Sequence, residues 1–524
     1  LSSSSAASDV YKRQHLFLYT RVGCLLSASS FSLSLPSTPL SPSPSLPLSL
    51  SPSLSLSLSL SLFSLLPLSL SSSCLPSRFF SYIASPSPPV SLPSTPAPFP
   101  PAMSAADERS SHLATVRKEL VQMISSGQLT SGANLTSFAL PASLMLPFST
   151  SSLTLHASAL EADGMGSVLG QPDPLRRMLA VLGNKMRATS STLTASMMKP
   201  YNPIIGEVCI AHSSDAQSGE AQPQGDSSSL SPVSGQKPVR PSWRALVEQV
   251  SHHPPITAAA AEGQSHGGSF RLAVSTIAVP TFCGNYVEVS MKIFGSRMEF
   301  TLPNGDIEIY VITSLPSVYL RGVMGMGASF CEWAGELRVE CEAIGLVGSI
   351  IYKPAGFFGR GERHLVSGSV KALHGNMKLS DISGDWTRKV VAKILPGGEE
   401  VELLPAPENG EARPAEMFKL PTELPYVVPA HSRQWERHPE TVWRDLTAAL
   451  LAKDWNTARA AKATVEQGRR EERKAMTQAS EQWETVFFRP DTQKQGDVSV
   501  PWLVREGAFD RAFDPNEKQP CKPL

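Results

Sequence analysis

The sequence predicts an α+β fold, an antiparallel β meander or barrel flanked by helices, on three observations. From Ile256 to Leu403, short apolar runs rich in β-branched residues are separated by Gly, Pro and Asn, the rhythm of antiparallel strands rather than of alternating strand and helix units. Helical spacing appears on either side of that region and not within it. The chain of 524 residues has zero formal charge, enough length for one large or two ordinary domains.

The front of the chain is set apart from this fold. Ser45 to Ser73 is almost only Ser, Leu and Pro, with strict Leu-Ser alternation from Leu54 to Leu62. Such alternation mimics a strand but runs past any turn signal, and a repeated CT dinucleotide translates to Leu-Ser in every frame. No methionine precedes Met103. Residues 1–102 are therefore expected not to belong to the native protein, which would begin at Met103; peptides from Ser29 to Pro101 in native material would overturn this. Serine at alternate positions also breaks the continuous apolar core that a signal peptide or a membrane span needs.

Ala106 to Ser126 predicts a helix, because Leu113, Val116, Leu120 and Ile124 share one face and Gly127 supplies a stop. An apolar stretch, Phe138 to Phe148, follows, with Leu140, Leu144 and Met145. Arg176 opens a second helix that ends before Lys199-Pro200-Tyr201-Asn202-Pro203-Ile204-Ile205-Gly206-Glu207. There the two prolines hold a loop rigid, while Lys199 offers a point charge and Asn202 a neutral donor. Ser213 to Pro241 is rich in Ser, Gln, Gly and Pro and reads as a disordered insertion.

Trp243 to Val250 predicts a strand running into Ser251-His252-His253-Pro254-Pro255, where the prolines forbid a helix and impose a bend. Three readings compete for the histidine pair. It caps a strand edge, or it ligates a metal, or it binds an anion such as a phosphate group. The metal reading lacks further ligands, since the cysteines are scattered without Cys-x-x-Cys spacing and read as reduced thiols. Strands are then predicted at Phe270 to Ile277, Asn285 to Ile293, Asp306 to Ile312, Val318 to Val323, Gly335 to Cys341, Leu346 to Tyr352, Leu365 to Val370 and Lys389 to Ile394.

Pro439 starts a helix whose Trp443, Leu446 and Leu450 share a face, and another is predicted from about Thr457 to Trp483. On the latter, Lys462, Glu466 and Arg470 are spaced by four and stay on one side. By itself that is an ordinary solvated charge ladder.

Glu248-Gln249-Val250-Ser251-His252-His253-Pro254-Pro255 resembles the fingerprint of the oxysterol-binding protein-related family, of the short, single-domain type. The Lys199 to Glu207 block and the Lys462, Glu466, Arg470 ladder resemble two further motifs of that family, so the likeness covers roughly Leu140 to Phe488. It implies a large, incomplete antiparallel β-barrel around a hydrophobic lipid tunnel, with an N-terminal helical lid and a C-terminal helical subdomain. The implied domains are a lid and connector over 103–148, a lipid-binding domain over 149–488 and a tail over 489–524. Lys199, Asn202, His252, His253, Lys462, Glu466 and Arg470 would bind a phosphoinositide headgroup; Leu113, Val116, Leu120, Ile124, Leu140, Leu144 and Met145 would form lid and tunnel. The implied ligand is phosphatidylinositol 4-phosphate, exchanged between membranes for a sterol or another lipid such as phosphatidylserine. The glutamine and tyrosine that sterol-binding relatives place near the sterol hydroxyl are not recognisable in Met186 to Met198, which leaves the second lipid open.

The rival readings are a phosphoinositide or sterol sensor that does not transport, and a phosphatase or esterase using His252 or His253 as base. Against an enzyme, the chain is expected to lack a Gly-x-Ser-x-Gly nucleophile elbow, a Cys-x5-Arg loop and a metal-ligand set. The expectations are then no catalysis, no cofactor, no metal, no nucleic acid, a monomer, and a cytoplasmic protein in peripheral contact with endomembranes.

Overall fold

The structure, a computed structural model, describes residues 145–191, 199–214, 242–252, 254–322, 330–356, 361–375, 377–407, 424–480, 483–491 and 501–517, with scattered positions between 114 and 142. Residues 1–102, Leu113, Val116, Leu120, Leu140, Leu144, His253 and nearly all of the expected insertion lie outside these, although Ser213 itself ends a strand.

Strand β1 (Met145–Ser149) leads into helices α1 (Thr150–Asp163), α2 (Met165–Leu169) and α3 (Pro174–Ser191), and β2 (Lys199–Tyr201) returns to pair with β1 in parallel. Fourteen strands then form one sheet. They are β3 (Val208–Ser213), β4 (Ser242–His252), β5 (Pro255–Ser265), β6 (Gly268–Phe282), β7 (Tyr286–Thr301), β8 (Ile307–Ser314), β9 (Ser317–Arg321) and β10 (Phe330–Cys341). The series continues through β11 (Leu346–Tyr352), β12 (Leu365–Ala372), β13 (Lys378–Asp385), β14 (Val390–Ile394), β15 (Glu400–Leu404) and β16 (Tyr426–Val427). Sequential strands pair antiparallel almost throughout, with β9 sharing β7 and β10. The sheet ends at β15 on one side and β16 on the other, so the barrel is incomplete.

The helices explain why those edges are tolerated. α3 lies against β15 so closely that a Cβ on Gly183 would stand 2.7 Å from the Leu403 carbonyl, while α1 packs on β3, β4 and β5. Covering an edge in this way removes its capacity to recruit another chain. Leu155, Met178, Leu182 and Met186 share a core with Phe270, Met298, Tyr310 and Ile350 of the wall. Two buried ion pairs fix the packing: Arg177 of α3 grips Glu308 of β8 at 2.6 and 2.9 Å, and Lys185 of α3 meets Glu161 of α1 at 2.6 Å.

The wall from β3 to β5 is largely buried on both faces. Ala259 and Ala261 of β5 face the helix-filled core, whereas Ala258 and Ala260 face a second core with Trp435, Phe487, Phe488 and Phe509. Alternation along a strand produces this division. The chain's end builds the second core: β17 (Phe488–Pro490) pairs with β18 (Trp502–Val504), and α7 (Ala508–Ala512) follows, after the tail helices α4 (Pro439–Val442), α5 (Arg444–Leu451) and α6 (Trp455–Gln478).

Every predicted strand has a counterpart, and β1, β2, β3, β5, β13, β15, β16, β17 and β18 add to them. Two helix expectations are corrected. The single helix from Pro439 is two, interrupted at Trp443, whose φ of −106° and ψ of 12° leave the helical region. The last long helix stops at Gln478 rather than Trp483, because Ser480 takes a left-handed φ of 57°. In the segment expected to form a lid, Gly127 has φ 74° as a stop requires. Ile124 packs with Leu129 against Phe282 and Val287, and Arg117 reaches the Gly322 carbonyl at 3.2 Å.

Candidate functional site

The block from Lys199 to Glu207 is held by its own buried residues. Tyr201 is fully buried, stacks 5.0 Å from Trp443 and shares a 3.0 Å hydrogen bond with Thr447 of α5. Glu207, also fully buried, accepts the Trp443 indole N–H at 2.8 Å and the Ile204 amide at 3.3 Å. Burial pushes its carboxyl up to about 7. The Gly206 amide donates to the Gln249 carbonyl at 2.8 Å, and the Gln249 amide to the Glu207 carbonyl at 2.9 Å. These bonds join the first motif directly to the second.

The second motif is a hairpin. β4 and β5 pair from Ser242 opposite Gln264 to His252 opposite Pro255, the last pair of the hairpin. The register shifts by one residue between Gln249 and Ser251, which makes Val250 a bulge and places a bend upstream of the prolines. At the foot of the hairpin, Glu248 is fully buried and accepts the amides of Val486 at 2.7 Å and Phe487 at 2.8 Å. Burial pushes its carboxyl, too, up to about 7. The half-buried His252 stands four residues further along the same strand.

The third motif lies on α6, capped by Asp454, which accepts the Thr457 amide at 3.1 Å. Glu466 lies between Lys462 at 3.6 Å and Arg470 at 3.5 Å. Burial, and then the nearby Lys462 ammonium, lower the Lys199 amine below the usual lysine range. Arg437 fastens the helix to the loop: its guanidinium stacks 4.2 Å from the Trp483 ring, donates to the Ile205 carbonyl at 2.8 Å and pairs with Glu472 of α6.

The structure thus brings Lys199 to Lys462, keeps Lys462, Glu466 and Arg470 in one ladder, and bonds the Lys199 loop to the strand that ends in His252. Asn202 is exposed beside Tyr201, and the Arg470 side chain is 61% exposed and turned along its own helix. Sequence reading gave no role to Glu207, Glu248 or Arg437, and took Trp483 only as part of the aromatic end of the last helical subdomain. The two glutamates had a signal, a carboxylate inside an apolar run, which burial makes costly unless it is hydrogen-bonded.

One expectation is contradicted by the chain itself. Gly263-Gln264-Ser265-His266-Gly267 has the Gly-x-Ser-x-Gly spacing. In the fold it is the β5–β6 turn, with Ser265 opposite Gly268 and with His266 and Gly267 left-handed at φ 50° and 75°. A nucleophile elbow needs a strand, a turn and then a helix, and here the turn leads into a second strand. Among the described residues no group of three or more His, Cys, Asp and Glu side chains is arranged to hold a metal, and no helix is long and apolar enough to cross a membrane.

An incomplete antiparallel barrel, covered by its own helices, with Lys199 of one loop brought near Lys462 of a distant helix, defines a lipid-binding domain. The chain belongs to the oxysterol-binding protein family, whose family model matches residues 122–512. It is 27% identical over 346 residues to human oxysterol-binding protein-related protein 9, covering 65% of this chain and 43% of that one. Against oxysterol-binding protein-related protein 4A of Arabidopsis thaliana it is 26% identical over 394 residues, 74% of this chain and 88% of the relative. The chain therefore spans less than half of the human relative and most of the plant one. In fold it is similar to the Osh1 ORD domain solved in complex with cholesterol, with a TM-score of 0.56, 19% identity, and coverage of 74% of this chain and 87% of that one.

Proposed function

We propose that this protein carries phosphatidylinositol 4-phosphate and exchanges it for a second lipid, a sterol or phosphatidylserine, between membranes that it touches peripherally from the cytoplasm. The observation that carries the reading is the approach of Lys199 to Lys462, two cations from segments more than two hundred residues apart. A like charge beside a half-buried amine is tolerated where an anion offsets both. A phosphate monoester, with a charge of about −1.5 to −2 near neutral pH, is suited to do so. Glu466 supplies an acceptor for inositol hydroxyls, and the hairpin brings His252 as a further donor. Family membership and the likeness to a domain that holds cholesterol support an apolar ligand beside this rim. Binding and release at two membranes need no covalent step.

Donor liposomes carrying labelled phosphatidylinositol 4-phosphate, mixed with acceptor liposomes, test the proposal. A carrier equilibrates the label between the two populations. Label that stays in the donor would make the protein a sensor or scaffold, and release of inorganic phosphate would make it a phosphatase.

A further inference from the structure

On α6, the headgroup reading absorbs Lys462, Glu466 and Arg470 and leaves Arg459, Arg473 and Lys474 without a role. At about 100° per residue, Arg459, Glu466, Arg470, Arg473 and Lys474 fall within about 100° of arc. All five are exposed. The side facing the body carries Ala458, Ala461 and Val465, which pack with Trp443 and Leu446. Lys462 lies at the border between that side and the cationic strip, so the strip begins where the Lys199–Lys462 pair ends. The opposite flank carries Thr457, Thr464, Gln467 and Glu471 and no cation.

A helix whose charges served solubility alone would have no reason to segregate them. Here four cations and one acid share a strip, Arg459 to Lys474, of about 22 Å at 1.5 Å per residue. Where α5 turns into α6, eight residues before Arg459, Leu451 is 70% exposed, the most exposed large apolar side chain among the described residues. A linear array of cations with an apolar side chain near one end is complementary to a sheet of anionic headgroups over an apolar layer.

We infer that the exposed strip carrying Arg459, Arg473 and Lys474 of α6 is a docking surface for anionic phospholipid membrane, adjoining but distinct from the residues that hold a single headgroup. The inference deepens the transfer reading by naming the face that meets the bilayer. Docked there, the protein holds the Lys199–Lys462 pair at the membrane surface, so a headgroup reaches it without crossing open water. The field of such a strip fades within a Debye length, about 10 Å at 0.1 M salt.

The test is flotation of the full chain with phosphatidylcholine vesicles, with and without phosphatidylglycerol, beside binding of soluble short-chain phosphatidylinositol 4-phosphate. Attachment is expected only to the anionic vesicles and is expected to fall as salt rises. The triple variant Arg459→Ala/Arg473→Ala/Lys474→Ala is expected to lose about 100-fold in partitioning, each cation near such a surface being worth about fivefold. It should still bind the short-chain ligand, and Arg459→Lys/Arg473→Lys should attach like the parent. Parent-like flotation of the triple variant overturns the inference and leaves the headgroup reading standing, as does retention on RNA in place of vesicles. Conversely, loss of short-chain binding with normal flotation in Lys199→Ala supports a docking surface distinct from the headgroup site. Short-chain binding left intact in Lys199→Ala would sink the headgroup assignment alone.

Discussion

The carboxylate of Glu248 accepts the backbone amide of Phe487 at 2.8 Å, across 239 residues of chain, and that of Val486 at 2.7 Å. The hairpin that ends in His252 is thereby fastened to the segment that follows α6. Glu248→Ala leaves two buried amides without an acceptor, at a cost of about 3 kcal/mol by the usual penalty for stranded donors. Urea unfolding should register the loss, and native-state hydrogen exchange should speed up at Val486 and Phe487 first. Exchange at Phe487 as slow as in the parent would refute the clasp.

Glu207 leads to a prediction about pH. Its carboxyl, with an ordinary value of 4.5, is pushed up to about 7 by burial, so the folded state holds a proton that the unfolded chain releases. Stability from this group is complete below the ordinary value and is lost as pH rises through 7. The loss amounts to about 3 kcal/mol. Glu207→Gln, neutral throughout and still able to accept the Trp443 indole, should gain stability relative to the parent as pH climbs from 4.5 to 8. Parallel curves of unfolding free energy against pH for the two proteins would show that Glu207 does not titrate in this range.

How much of this was legible depended on the kind of signal. Phe270 to Ile277 and Leu346 to Tyr352 are short apolar runs with β-branched residues and read directly as strands. β5 did not, because Ala258 to Ala261 has high helix propensity and becomes a strand only where two cores need small side chains on both faces. β13 escaped because Asp381, Ser383 and Asp385 lack strand character, and pairing with β12 and β14 overrides that. The Lys462, Glu466, Arg470 ladder was visible as spacing, yet nothing in spacing brings Lys199 beside it; the family resemblance alone suggested that. Glu207 and Glu248 went unread because their partners are a distant indole and distant amides, which no local pattern encodes.

Gly206 is a point where the loop and the tail meet. Its φ is 70°, and a Cβ there would lie 2.0 Å from the Trp483 ring. Gly206→Ala should cost about 1 kcal/mol for the left-handed backbone. Displacing the ring should add about 2 kcal/mol. In a Trp483→Ala background only the first cost remains, so a double-mutant cycle should return a coupling of about 2 kcal/mol. Additive losses would mean that the ring does not occupy that space in solution.

Lys199 reports on its neighbour. Burial and then Lys462 hold its amine below the usual range, so it should be acylated faster than exposed lysines at the same pH, the neutral amine being the reactive form. Lys462→Ala removes one of the two causes and should slow labelling of Lys199. Quantitative mass spectrometry of modified peptides measures it. A rate at Lys199 indifferent to Lys462 would separate the two amines and weaken the proposed phosphate site.

The sharpest division of labour concerns the hairpin tip. If His252 and His253 serve the headgroup and the barrel serves the apolar tails, His252→Ala/His253→Ala should abolish extraction of phosphatidylinositol 4-phosphate from liposomes while any sterol extraction persists. The substitutions leave untouched the Glu248 clasp and the Gly206–Gln249 bond, both below the tip, so the fold should hold. A far-ultraviolet spectrum and a melting curve check that it does. Extraction of both lipids lost together in a folded variant would mean that one determinant serves head and tails alike, and extraction of both retained would remove the histidines from the site.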